Sequence, residues 1–437
     1  MKRSVLFLGL GLLSATSVFA QQWDLRHCIE QAVANNVQIQ QQEKNVESKE
    51  IALNTARSSR LPNVQASMNQ SFSFGRGLTS NNTYTNRNTM NTGADLGASV
   101  PIYTGGQITH SIRSGKLNLS AAIVELSKAR EDLSVQVASA YLEVLYQQSL
   151  ARIAAQQCEL AEAQLRRVEL LYETGKVAES NVAEARATVA SDNLQLTQAQ
   201  NSHQLALLSL SQLLELPSPE GFTIIQPEVP DPADILLQSP EEIYQQAIGL
   251  KPVIEAGRLR VEDAKEGVAA ARSGYKPSLS LNAGLSTNYY KVMDMPAPTF
   301  QDQVKDNFSK YIGLSLSVPI FDRNSTRNRV RTAKIQHESQ ELAFEQIQKD
   351  LFKEIQQAYY NAVAAQSQCL SSKAAEESAQ TAFQLVTLKY ENGKATATEY
   401  QESKIRLQRA QSDLAYARYT FLFRQKILDF YRGVSIE

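Results

Sequence analysis

Three cysteines and four histidines are the side chains of this 437-residue sequence with the most reactive chemistry, and their spacing gives them none to perform. Cys28, Cys158 and Cys369 sit far apart in segments of strong helical character. An odd number at such spacing gives no disulfide framework. Small residues buried on helices account for them. His27, His110, His203 and His337 are scattered, with no H-E-x-x-H spacing for a metal. No G-x-S-x-G nucleophile elbow, phosphate loop or G-x-G-x-x-G turn stands out. Met293 and Met295 share one polar loop and would suit a soft metal, although an ordinary loop can also hold two methionines. The expectation is no catalytic residue, no cofactor and no resident metal, and hence no enzyme.

The ends and the charge narrow the class. Lys2 and Arg3, the apolar run Val5 to Leu13, and Val18-Phe19-Ala20 have the layout of a secretory signal peptide over 1–20. An uncleaved anchor is the alternative. No cysteine follows Ala20, so no lipid-attachment signal is read there. Loss of Lys2 and Arg3 takes the formal net charge from −1 to −3. A chain this size so close to neutrality gives no case for nucleic-acid binding. Beyond the signal there is no run of 18 apolar residues, so any membrane crossing must use strands.

The elements repeat. An offset of 215 aligns Ala32 with Ala247, Ile39 with Ile254, Ala56-Arg57-Ser58 with Ala271-Arg272-Ser273, and Pro62 with Pro277. An offset of 218 aligns Ser99-Val100-Pro101-Ile102 with Ser317-Val318-Pro319-Ile320, Tyr172-Glu173 with Tyr390-Glu391, and Gly175-Lys176 with Gly393-Lys394. An ordered series in two registers is the mark of duplication. The division read is 21–216 and 241–437, joined by a Pro-rich linker over 217–240.

Each copy predicts a helix, a β-hairpin, a very long helix and a return helix. Residues 24–61 lack Gly and Pro and read as one helix with Asp24 as N-cap. The counterpart over 241–274 is interrupted by Gly249, Pro252, Gly257 and Gly267. The hairpins fall in 63–104 and 278–321. Val64, Ala66, Met68, Gln70, Phe72 and Phe74, apolar but for Gln70, alternate with Gln65, Ser67, Asn69, Ser71 and Ser73; Leu279, Leu281, Ala283 and Leu285 alternate with Ser278, Ser280, Asn282 and Gly284. Such period-two strands of about ten residues fit a tilted bilayer crossing, lipid on one side and water on the other. A half-buried soluble sheet is the competing reading. The signal segment and the small polar residues favour the barrel. The connections 75–93 (with Asn81, Asn82 and Asn86) and 287–310 read as long irregular outer loops. From Ile320 to Asn392 there is neither Gly nor Pro, and Gln107 to Thr174 contains only Gly115. Helices of about 100 Å call for a coiled coil rather than a globular core. Ile123, Val137, Val144, Ala151, Cys158, Leu165 and Tyr172 share one heptad position, interrupted by Arg130; Tyr400, Leu407, Leu414, Phe421 and Leu428 form a stripe on the last helix. The long helices turn back at Gly175 and Gly393 into returns over 177–216 and 394–432. Four strands cannot close a useful barrel alone, so their edges must pair with other copies. Three copies give twelve strands.

Residues 22–437 resemble the TolC family of outer-membrane efflux proteins. The resemblance rests on Trp23-Asp24-Leu25, Cys28-Ile29, Ala32 and Asn35-Asn36, the paired Val-Pro-Ile segments, the Tyr-x-x-Gly turns at Tyr172/Gly175 and Tyr390/Gly393, the Leu214-Glu215-Leu216-Pro217 break and the duplication. It implies a mainly α fold with a transmembrane β-barrel portion, twelve-stranded in a homotrimer, continued by a long α-helical barrel in the periplasm. It implies a passive outer-membrane channel exporting small molecules or proteins in tripartite efflux or type I secretion. The implied partners are a periplasmic adaptor, an inner-membrane pump or ABC exporter, and the lipid bilayer. In that family acidic residues near the second turn line the narrowest point. The matching positions are Glu399 and Glu402, where the family's best-known pattern has Asp. Asn181 and Glu184 stand at the same offsets in the first copy. An arginine of the family's closing network is matched by Ala395. Ordinary solvated helix-tip charges are the alternative for both glutamates. A barrel enzyme would need a nucleophile or metal constellation, and an adaptor would leave four alternating strands unexplained.

Overall fold

The computed structural model describes residues 21–78, 82–219, 221–227, 230–293 and 295–436. The signal-peptide segment and Asn81 lie outside the described residues. The chain divides into two compact units. One draws on the chain up to Gln41, Ser127–Lys251 and Lys349–Glu437; the other on Gln42–Leu126 and Pro252–Gln348.

The chain opens with β1 (Gln21–Trp23), α1 (Leu25–Asn35) and α2 (Val37–Ser58). Asp24 caps α1, its carboxylate accepting from the His27 amide at 2.8 Å. The single helix expected over 24–61 is broken at Asn36. That residue is extended (ψ 130°), and its Oδ1 accepts from the Gln38 amide at 2.9 Å, so it ends one helix and starts the next. Next come β2 (Asn63–Ser73), the short ribbon β3 (Arg76–Leu78) and β4 (Tyr84–Asn86), β5 (Thr89–Tyr103), α3 (Gln107–Glu173) and α4 (Glu179–Leu213). Then follow β6 (Phe222–Ile224), a 3-10 turn at Pro232–Asp234, α5 (Pro240–Leu250) and α6 (Pro252–Arg272). The break between α5 and α6 falls at Lys251, which precedes a proline and is held extended. Under the offset of 215 this is the position of Asn36. The chain ends with β7 (Ser278–Val292), α7 (Phe300–Asp306), β8 (Ser309–Ser317), α8 (Ser325–Glu391) and α9 (Ala397–Tyr431).

Within the linker 217–240, β6 pairs in parallel with β1, Trp23 opposite Ile224. The sequence reading needs correction in three places. The connection expected to be irregular over 75–93 holds the β3–β4 ribbon, and that over 287–310 holds α7. Strands β5 and β7 run to 15 residues each, because their cross-strand pairing continues past the alternating core from Thr89–Val292 to Tyr103–Leu279. The second hairpin stops at Ser317. Val318 to Ile320 leave the sheet, Pro319 cannot donate to a ladder, and α8 starts only after Arg323 and Asn324 at positive φ.

In the first unit the core lies between helices. Val137, Tyr141, Val144, Leu145, Leu210, Leu214, Ile243 and Phe421 are almost fully buried. The Tyr141 hydroxyl donates to the Ile225 carbonyl at 2.5 Å, with the Trp23 carbonyl 3.2 Å away, tying the β1–β6 ribbon to α3. Burial pushes that phenol well above its ordinary pKa. Lys251, at the α5–α6 break, is buried. Its ammonium meets Glu131 at 3.2 Å and lies 3.1 Å from the centroid of the Phe430 ring. All three cysteines are buried and free. Burial raises the Cys28 thiol to about 12, which makes it inert as a nucleophile near neutral pH.

The second unit contains the four-stranded sheet, in the order β2-β5-β7-β8 with every neighbour antiparallel. One face is polar, with Ser99 donating to Asn282 at 2.9 Å and Ser286 against Ser309 at 2.6 Å. The other carries Val64, Met68, Ile312, Leu314 and Leu316, all more than 60% exposed. Around it, α3 passes Gly115 without a break, since a Cβ there would come within 3.3 Å of Leu53. Gly257 likewise lets α6 approach Phe344.

Candidate functional site

The residues singled out as gate candidates lie where the long helices turn back, all within the first unit. Both turns are built alike. At the end of α3 the amide of Lys176 donates to the Leu171 carbonyl at 2.8 Å, and that of Gly175 to Tyr172 at 2.8 Å. At the end of α8 Lys394 donates to Lys389 at 2.8 Å and Gly393 to Tyr390 at 3.1 Å. This paired pattern needs a left-handed residue. Gly175 and Gly393 supply it at φ +71° and +69°.

The return helices then start differently. Thr396 caps α9 in a reciprocal box: its Oγ accepts from the Glu399 amide at 3.2 Å, and the Glu399 carboxylate accepts from the Thr396 amide at 2.7 Å. Ala178, at the corresponding place before α4, offers no side-chain cap. The Glu399 carboxylate is thus turned back on its own backbone. The hydrogen bond from the Thr396 amide, then that from its hydroxyl, holds its pKa below the ordinary glutamate value. Glu402 is exposed one turn further on.

The structure gathers some candidates and separates others. Asn181 and Glu184 of α4 line one groove with Tyr390 of α8 and with Tyr400 and Lys404 of α9. Leu160, Ala161 and Val168 of α3 give it an apolar wall. Glu399, Glu402 and Tyr172 are not part of its lining. Tyr390 and Tyr400 stack with centroids 5.0 Å apart. The Tyr390 hydroxyl accepts from Gln164 of α3 at 2.9 Å. Arg167 reaches across to α8, donating to the Glu391 carbonyl at 2.9 Å with its carboxylate 3.5 Å away. The first long helix is therefore fastened to the tip of the second.

The most deeply buried of the ion pairs among the described residues was not anticipated from the sequence. Lys404 is 3% exposed and Asp192 8%; their charged atoms meet at 2.6 Å, and the ammonium also donates to the Gln157 carbonyl at 3.3 Å. One contact joins α9, α4 and α3. Its signal was present: Lys404 falls between Tyr400 and Leu407 on the apolar stripe of α9, and a charge on a buried stripe needs a partner. Gln164, Arg167 and Asp192 gave no such signal. The arrangement holds no nucleophile–base pair. Among the described residues no group of His, Cys, Asp and Glu could hold a metal ion.

A profile described as "Outer membrane efflux protein" matches residues 28–215 and again 243–433. The chain belongs to the outer membrane efflux protein family. Similar members include outer membrane protein TolC of Escherichia coli, 24% identical over 436 residues, covering 96% of this chain and 84% of that protein. Outer membrane efflux protein BepC of Brucella suis is 22% identical, covering 94% and 88%. The fold matches solved structures of VceC from Vibrio cholerae (TM-score 0.76, 18% identity, 94% of this chain and 97% of that one) and of the CmeC outer membrane channel of Campylobacter jejuni (TM-score 0.75, 20% identity, 94% and 86%). This TolC-family protein is an efflux channel of the outer membrane and not an enzyme.

Proposed function

We propose that three copies of the chain form one passive export channel. The observation that carries this reading is the four-stranded sheet with two free edges. Among the described residues β2 pairs only with β5 and β8 only with β7, and the strand directions make β2 and β8 antiparallel to each other. Copies can then join β8 to β2 and keep every pairing antiparallel until the sheet closes. Closure removes the exposed edges. Three copies give a twelve-stranded barrel wide enough for a wet lumen, where two would give eight and fill with side chains. The face of Val64, Met68, Ile312 and Leu314 then meets lipid, and the serines and asparagines line water.

In this reading 21–216 and 241–437 are two copies of one unit, joined through 217–240. The long helices α3 and α8, 67 residues each, form the wall of a periplasmic tunnel. The turns at Gly175 and Gly393 lie at its inner end, where Glu399 and Glu402 of three chains narrow the path, with Asn181 and Glu184 as the alternative constriction. Carboxylates around a three-fold axis attract cations and impede anions. A periplasmic adaptor and an inner-membrane pump or ABC exporter supply energy and cargo.

The test is the mass of the particle extracted in mild detergent. Three chains are expected. A stable monomer with strand content intact would end the barrel reading, because its edges would have no partner.

A further inference from the structure

The four strands of the sheet carry three charged side chains, Asp95, Lys291 and Lys310. Register sorts them by face. Lys310 lies opposite Leu285 and shares the apolar face with Ile312 and Leu314. Lys291 lies opposite Met90, itself opposite Phe72, on that same face. Asp95 alone is on the polar face, in one row with Ser67, Ser286 and Ser309. It is exposed, and it has no hydrogen bond or ion pair among the described residues.

A second observation concerns the rows on either side. In the row of Gln65, Gly97, Gly284 and Tyr311, the tyrosine ring lies across Gly284, where a Cβ would be 2.6 Å from it. In the row of Asn69, Gly93 and Asn288, the Asn69 side chain lies across Gly93, where a Cβ would be 2.5 Å from its Oδ1. Each glycine lets a longer neighbour lie along the wall. The Asp95 carboxylate thus stands between two rows whose longer side chains are held down, and it faces solvent. Arg87, in the connection before β5, reaches the same face. Its guanidinium lies 6.0 Å from the centroid of the Tyr290 ring and donates to the Leu78 carbonyl at 3.1 Å. Tyr290 is two rows from Asp95, about 14 Å along the strand. That exceeds the screening length of about 10 Å at 0.1 M salt, so the two charges act at different levels.

We propose that Asp95 sets the charge preference of the barrel portion of the channel. Three chains place three such carboxylates at one level of the lumen. Rings of carboxylates favour cations and hinder anions, and substitutions on the lumen face of a barrel tune selectivity. This preference is separate from that of Glu399 and Glu402 at the helix tips. The proposal rests on the barrel reading, with the polar face inward.

Reversal potentials in a KCl gradient around 0.1 M test it, recorded from the trimer in planar bilayers. The parent protein carries Glu399→Gln and Glu402→Gln, so that the tips do not dominate. Asp95→Asn should lower the ratio of potassium to chloride permeability at least about twofold, and Asp95→Glu should keep it. The difference should fade at about 1 M, where screening acts within about 3 Å. Asp95→Cys adds a chemical readout, because Cys28, Cys158 and Cys369 are all buried. A negatively charged methanethiosulfonate should restore the cation preference of that variant, and a positively charged one should turn it toward anions. Equal ratios for Asp95→Asn and its parent overturn the proposal, as does an Asp95→Cys variant that responds to neither reagent. Should Lys310→Gln raise the ratio while Asp95→Asn leaves it unchanged, the other face lines the lumen and the barrel reading fails in its orientation. A monomer by mass ends both readings, whereas a trimer indifferent to Asp95 and Lys310 ends this proposal alone.

Discussion

At the scale of single residues, the buried Lys404–Asp192 pair is the contact most sensitive to substitution. Replacing a buried ion pair by apolar residues of similar size is often tolerated, but removing one partner strands a charge. Lys404→Met should therefore destabilise the tip by about 3–5 kcal/mol, and adding Asp192→Leu should recover most of that. Denaturant midpoints of the unaltered protein and the two variants check it; equal midpoints for the single and double variants would show the pair to be uncoupled. Glu399 has a different role from an unengaged tip charge, because its carboxylate closes the capping box on Thr396. Its pKa is lowered on folding, so its contribution to the first turn of α9 is fully present above the ordinary glutamate value of 4.5 and is lost only as pH falls through the lowered one. Glutamine also closes such a box. Glu399→Gln with Glu402→Gln should thus keep the helix start while weakening cation preference in single-channel recordings. Unchanged selectivity in an assembled channel would move the constriction to Asn181 and Glu184.

At the scale of elements, two glycine turns of identical hydrogen bonding reverse the long helices. A Cβ at Gly175 or Gly393 would meet nothing within 4 Å, so the cost of a side chain there is conformational and not steric. Gly393→Ala should cost about 1–2 kcal/mol through the left-handed backbone alone. Gly257→Ala differs, since its Cβ would lie 2.8 Å from the Phe344 ring and force α6 and α8 to shift. Hydrogen exchange separates the two: faster exchange confined to residues around 390–396 for Gly393→Ala, and spread along α6 for Gly257→Ala. Loss restricted to the turn in both variants would contradict the close packing of α6. Helix breaks at Asn36 and Lys251 show how one feature is reached by different chemistry, an asparagine side chain capping in one case and a following proline in the other.

At the scale of the whole molecule, the channel reading fixes which segments face outward. Accessible tags placed between β4 and β5 and between β7 and α7 should be labelled on intact cells, and a tag at Lys394 only after the outer membrane is breached. Labelling of the Lys394 tag on intact cells would invert or dismiss the arrangement. Each half of the chain contributes two strands to one sheet and one 67-residue helix.

The sequence by itself determined most of the helices, the strand alternation and the stripe of Tyr400, Leu407, Leu414, Phe421 and Leu428, whose members are buried except for the half-buried Leu414. Periodicity encodes these because burial acts on every third or fourth residue of a helix and every second residue of a strand. It also determined the glycine turns, because only glycine takes a positive φ without strain. What it left open depends on neighbours distant in the chain. The β1–β6 ribbon joins residues some 200 positions apart, and its three-residue strands are too short to show a period. The sheet order β2-β5-β7-β8, which brings the two hairpins edge to edge, follows from pairing between halves of the chain. Asp192, Gln164 and Arg167 look like surface residues of amphipathic helices until α8 and α9 pack against them. A buried charge is defined by its partner, and only the tertiary structure brings Lys404 to Asp192.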